Sequence, residues 1–164
     1  MERVASRHKP VETAFDSYVQ LAKGLLGELS GACLFDAHWR LRGHNGRISG
    51  LLLQEWTGTL GWNGTQSRLP SAVAISPGEW VTAIPLEQSD TTLLGVFCVQ
   101  QSVAILPTYP ARYASDIGKL LKPLLDCVHR ELSATQQVRE RVQTLTERTA
   151  ELEWLFKVTS QLKG

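Results

Sequence analysis

The chain has 164 residues, 43% of them hydrophobic and 20% charged, with a formal charge of +1. These values fit a globular protein with one core, and the dispersed, nearly cancelling charges exclude a dominant nucleic-acid footprint. No run approaches the roughly 18 apolar residues of a membrane span and the polar opening MERVASRHKP is no secretory signal, so the sequence predicts a cytoplasmic protein without a nucleic-acid or membrane partner.

From Pro10 the apolar residues Phe15, Tyr18, Val19, Ala22, Leu25, Leu26 and Leu29 recur at helical spacing. They predict a first helix that stops at Ser30 and Gly31. The stretch GACLFDAHWRLRGHNG reads as a hairpin, with a buried strand over 32–35, a turn over 36–38 and a return over 39–43. Leu52, Trp56 and Leu60, flanked by Leu51 and Leu53, predict a second helix. A polar span follows over 61–78, with SAVAIS as a short strand inside it, and its length marks it as a lid over any pocket.

The clearest β signal is WVTAIPLEQSDTTLLGVFCVQ, residues 80–100. Two β-branched and apolar runs flank residues 88–91, which makes a hairpin the economical reading. Pro85 cannot donate to a ladder and belongs at an edge position or a bulge. Pro107 and Pro110 precede a final helical region beginning near Ala111. The order predicts an α+β fold, an antiparallel sheet whose apolar face is covered by helices.

No proline or glycine interrupts residues 124–163. A helix over 123–163 would be about 60 Å long, against a radius of gyration of about 15 Å for a domain of this size. The helix is therefore expected to extend beyond the globule, dividing the chain into a domain over 1–131 and a coiled-coil linker over 132–164. In heptads the a positions are Leu121, Val128, Thr135, Val142, Thr149 and Phe156, and the d positions Leu124, Glu131, Val138, Leu145, Leu152 and Thr159. Glu131 and Thr135 interrupt this seam, which places the coiled coil proper from Val138 onward. The expected dimer interface is Val138, Val142, Leu145, Leu152 and Phe156. In a parallel pair Arg148 at g faces Glu153 at e of the other copy. The alternative is a long solvated helix within a single chain. Beyond Leu152, Trp154, Leu155, Phe156 and Val158 spread apolar surface around the helix, a pattern that expects burial. A further domain is expected beyond Gly164 to supply it.

These residues resemble a family. The body is similar to the GAF domains of bacterial signalling proteins, in its first helix beside the last, its central antiparallel sheet, and the strand pair AIPL and LLGVFCV at 83–86 and 93–99. The tail LTERTAELEWLFKVTSQLKG, 145–164, resembles the signalling helix that follows such a domain in cyclic-di-GMP proteins, which carry GGDEF and EAL catalytic domains further on. The resemblance implies a non-catalytic sensory or dimerisation domain. Its partners would be a second copy, downstream domains of the same chain and an unidentified small molecule. The NKFDE-type signature of cyclic-nucleotide-binding GAF domains, a bilin-attachment cysteine context and the GGDEF and EAL motifs are absent from the sequence, and no cofactor is expected. The alternatives are a GAF-type free methionine sulfoxide reductase and the input domain of a sensor histidine kinase.

The densest polar constellation is Asp36, His38, Arg40, Arg42 and His44. Its spacing fits no metal-ligand pattern. Arg40 and Arg42 would share one strand face and form the rim of an anion pocket, or else the group is an exposed turn with solvated charges. Trp62 and Trp80 bracket the lid span as aromatic walls or core plugs. The three cysteines, Cys33, Cys98 and Cys127, lack C-x-x-C spacing and fit a reducing compartment. Cys33 and Cys98 fall in strands, where a thiol is a small buried hydrophobe rather than a nucleophile. Arg40, Arg42, His44, Trp62, Trp80 and Cys98 are the pocket candidates.

Overall fold

The computed structural model describes residues 9–46, 68–90, 92–103 and 108–163, with side chains from Ala14 onward. The expected second helix over 51–60, Trp62 and the first part of the lid span lie outside the described residues. The chain divides into two compact units, Met1–His129 and Arg130–Gly164.

The first unit is α+β. Helix α1 (Lys9–Leu26) precedes strands β1 (Gly31–Asp36), β2 (Leu41–Gly46), β3 (Ser71–Ser76), β4 (Glu79–Glu87) and β5 (Leu93–Ser102). Helix α2 (Pro110–Leu120) and the start of α3 (Lys122–Lys163) follow. The strands form one antiparallel sheet in the order β2-β1-β5-β4-β3.

Helix α1 ends at Leu26, earlier than expected, because Gly27 adopts φ 86° and donates its N–H to the Lys23 carbonyl at 2.8 Å. A left-handed glycine just past the last turn is a common helix stop. Within α1, Phe15, Val19 and Ala22 are buried along one stripe. The Phe15 ring meets Phe97 of β5 with centroids 6.5 Å apart. On the same sheet face Trp80 of β4 meets Tyr113 of α2 edge-on at 6.2 Å. Ala114, Ile117, Leu121, Leu124 and Val128 complete the buried helical surface.

The central strand β5 and its neighbour β1 are buried along nearly their whole length rather than at alternate positions. That pattern means a sheet covered on both faces, and the unbroken apolar run LLGVFCV fits it. On the face away from Phe97, Cys33, Phe35, Val81, Ala83, Leu93, Val96 and Cys98 form one cluster, with Trp39 packed against it.

The expected hairpin over 80–100 is present as β4 and β5, and SAVAIS forms β3, which pairs with β4. Pro77 and Gly78 turn β3 into β4, Gly78 taking φ 79°. Pro85 lies in β4 beyond Ala83, where pairing with β3 stops, and among the described residues pairs with β5 alone. It thus occupies an edge position, where its missing N–H costs no ladder bond. The final helical region is broken at Leu121 (φ −86°, ψ 1°). Pro123, in the first turn of α3, has no N–H with which to continue the preceding helix. His129 Nε2 donates to the Glu87 carbonyl at 2.8 Å, tying α3 to the end of β4.

The second unit is helical through Lys163, the remainder of α3. Its large apolar side chains are exposed, among them Val138, Val142, Leu145, Leu152, Trp154, Leu155, Phe156 and Leu162. Among the described residues, no helix is long and apolar enough to cross a membrane.

Candidate functional site

The hairpin from β1 to β2 differs from the expected one, and the difference shapes its chemistry. The return strand begins at Leu41 instead of Trp39, because Trp39 takes φ 61° and sits in the turn. Asp36, only 5% exposed, organises that turn. Its Oδ1 accepts the N–H groups of His38 at 2.8 Å and Arg40 at 3.0 Å, and its Oδ2 accepts Nε of Arg42 at 2.8 Å. Burial pulls the Asp36 carboxyl upward. The N–H groups of Arg40 and His38, joined by the Arg42 guanidinium, outweigh it and hold the pKa below the ordinary carboxylate value.

Arg40 therefore lies in the turn and not on a shared face of β2 with Arg42, so the expected two-arginine rim is not formed by strand alternation. Arg42 is half exposed in character, its side chain at 40%, and spends one edge of its guanidinium on Asp36. Together with His44, Leu41 and Gly43 it lines a cleft of about 450 Å³, whose opposite wall is Phe15 and Asp16 of α1. The close approach that builds this cleft depends on Gly43, since a Cβ there would run into the Phe15 ring.

The other pocket candidates fall elsewhere. Trp80 and Cys98 lie on opposite sheet faces: Cys98 pairs with Ala83, three residues from Trp80, and side chains alternate along a strand. Trp80 plugs the helical face against Tyr113, with its indole N–H buried and unpartnered. Cys98 lies opposite Cys33 in the β1 and β5 pairing, and Cys33 lies opposite His44 in the β1 and β2 pairing. The structure thus brings two thiols and an imidazole into one cross-strand row. Both thiols are fully buried, and the hydrogen bond with Cys33 and burial push the Cys98 thiol well up. A protonated, enclosed thiol is a poor nucleophile.

Near the other end of the sheet, Gln100 Nε2 donates to Glu79 at 3.0 Å and Ser102 Oγ donates to the same carboxylate. Gln100 Oε1 is buried without a partner. Glutamines at strand ends carry no sequence signal of this kind, and neither does Asp16 on an ordinary helix face. Among the described residues, no group of three or more His, Cys, Asp or Glu side chains is placed to hold a metal ion.

The five expected interface residues lie on one stripe of α3 and are exposed by 54% to 76%. The threonines on this stripe are less polar in effect than their type suggests. Thr135, Thr149 and Thr159 donate their hydroxyls to the carbonyls of Glu131, Leu145 and Leu155, one turn earlier, at 2.8 to 2.9 Å. A hydroxyl bonded within its own helix brings no unsatisfied donor to a seam. Glu131 remains the one charged interruption among the heptad a and d positions.

No family model matches the chain, and no curated protein matches it. Among solved structures it is similar to the crystal structure of the E. coli DhaR(N)-DhaL complex, with a TM-score of 0.39 and 14% identity over 87% of this chain. The chain spans 55% of the length of that neighbour. A likeness at this level bears on neither fold assignment nor function.

Proposed function

We propose that the chain is a non-catalytic regulatory input and dimerisation module of a cytoplasmic bacterial signalling protein. The observation that carries this reading is the long helix α3. It contributes Leu124 and Val128 to the core of the first unit, then carries the exposed stripe of Val138, Val142, Leu145, Leu152 and Phe156. Apolar side chains left in water forgo about 1.5 to 3 kcal/mol each of burial free energy, so a stripe this long favours association with a second copy. A dimer joined this way relays a signal as a change between two packings of the helix pair, because packed cores are bistable rather than continuously deformable.

The resemblance of residues 145–164 to the signalling helices of cyclic-di-GMP proteins supports the choice of output. In this reading the downstream domains make or break cyclic-di-GMP, as GGDEF and EAL domains do. The reductase alternative is disfavoured by the full burial of Cys33 and Cys98. Sedimentation equilibrium of residues 1–164 at micromolar concentration tests the proposal. A dimer is expected, and a monomer at concentrations up to about 1 mM would remove the basis for a helix-borne relay.

A further inference from the structure

The cleft between α1 and β2 joins features that the dimerisation reading leaves unused. Its volume of about 450 Å³ falls in the range of small-molecule sites, about 300 to 1,000 Å³. One wall carries Arg42 and the other Asp16. The two do not pair with each other, and among the described residues Asp16 makes no ion pair at all. Residues of opposite charge therefore border one small space without pairing across it.

Arg42 is set in place before any ligand arrives. Its Nε is fixed on Asp36 Oδ2 at 2.8 Å, and Asp36 is itself held by two backbone N–H groups. A guanidinium tethered through Nε keeps its Nη groups for a second partner, and their geometry suits a carboxylate. Because Asp36 already neutralises Arg42, the cleft offers no net positive charge to attract a polyanion. The unpaired carboxylate of Asp16 repels one further. A molecule bearing both signs meets neither penalty, and Leu41, 46% exposed at the rim, offers an apolar surface beside them.

We propose that this cleft binds a small zwitterion of the α-amino acid class, with its carboxylate on the Nη groups of Arg42 and its ammonium on Asp16. The inference does not depend on the regulatory reading and would hold for a monomer. Free α-amino acids, titrated singly into the ¹⁵N-labelled full chain, should include at least one that shifts the Gly43 and His44 amides saturably with a Kd of about 1 mM or tighter. Acetate and methylammonium, each carrying one of the two charges, should bind about tenfold or more weakly. Asp16→Asn, at an exposed position that leaves the fold intact, should weaken the amino acid about tenfold while acetate binds no more weakly than before, since a repelling charge is lost. Arg42→Lys should weaken both. Absence of a saturable shift with every amino acid would overturn the proposal. An Asp16→Asn variant with undiminished affinity would also overturn it, as would tighter binding of inorganic phosphate than of any amino acid.

Discussion

Cys33 lies directly opposite Cys98 in the antiparallel pairing of β1 with β5, and neither side chain touches solvent. The hydrogen bond with Cys33 and burial push the Cys98 thiol well up, and Cys127 on α3 is the exposed cysteine. A thiol reagent such as DTNB should therefore modify Cys127 rapidly in the native protein, with Cys33 and Cys98 reacting only on unfolding. Methionine sulfoxide should not be turned over. Fast native modification of Cys98, or turnover abolished by Cys98→Ser, would revive the reductase alternative.

The Asp36 network gives the hairpin an acid limit. Its folded pKa is depressed, so its contribution is fully present above the unfolded carboxylate pKa of about 3.9 and is lost as pH falls through the lower folded value. Asp36→Asn should cost about 1 to 3 kcal/mol near neutral pH, since three donors lose a charged acceptor. The difference from wild type should shrink below about pH 4, as measured by urea denaturation at stepped pH. A variant equally destabilised at pH 7 and pH 3 would mean that the carboxylate charge is not what holds the turn.

Gly43 is a test of how closely α1 approaches β2. Any side chain at this position meets the Phe15 ring, and overpacking of this kind costs about 1 to 3 kcal/mol. Gly43→Ala should lower the melting temperature measurably, and Phe15→Leu in the same background should recover part of the loss. An unchanged melting temperature would show that the helix and strand part freely.

Thr149 donates its hydroxyl to Leu145 within α3, so its polar group is satisfied without solvent. Thr149→Val should leave dimer affinity unchanged or tighten it, whereas Thr149→Asp should weaken it. A Thr149→Val variant that dissociates would place the hydroxyl in a contact across the dimer and would require a different seam.

Much of the sheet was legible in the sequence because its signals are local. The turn after Glu87, the strand SAVAIS and the edge role of Pro85 follow from β-branched runs and proline chemistry. The run LLGVFCV was legible as a strand, but its burial on both faces goes beyond the single covered face that was expected of the sheet. The first hairpin was misplaced by two residues because Trp39 reads as a strand former. Its φ of 61° is imposed by the turn that Asp36 organises, a side-chain effect that propensity does not record. The pocket candidates fared worse for a related reason. Arg42 and His44 share a cleft, yet Trp80 and Cys98 lie on opposite faces of the sheet. Asp16, the partner wall of that cleft, is reached only through the packing of α1 on β2, a long-range contact without a local signature.

Association through α3 is the claim on which the functional account stands, and light scattering on one double variant tests it most directly. Leu145→Asp combined with Leu152→Asp places two charges on the stripe at side chains that are already exposed in the single chain, so the fold of the first unit is not at risk. At micromolar concentration the unaltered chain should have the mass of two copies and the variant the mass of one, with the circular dichroism of the sheet unit retained. A variant that remains a dimer with unchanged affinity would contradict the account and move the interface away from α3.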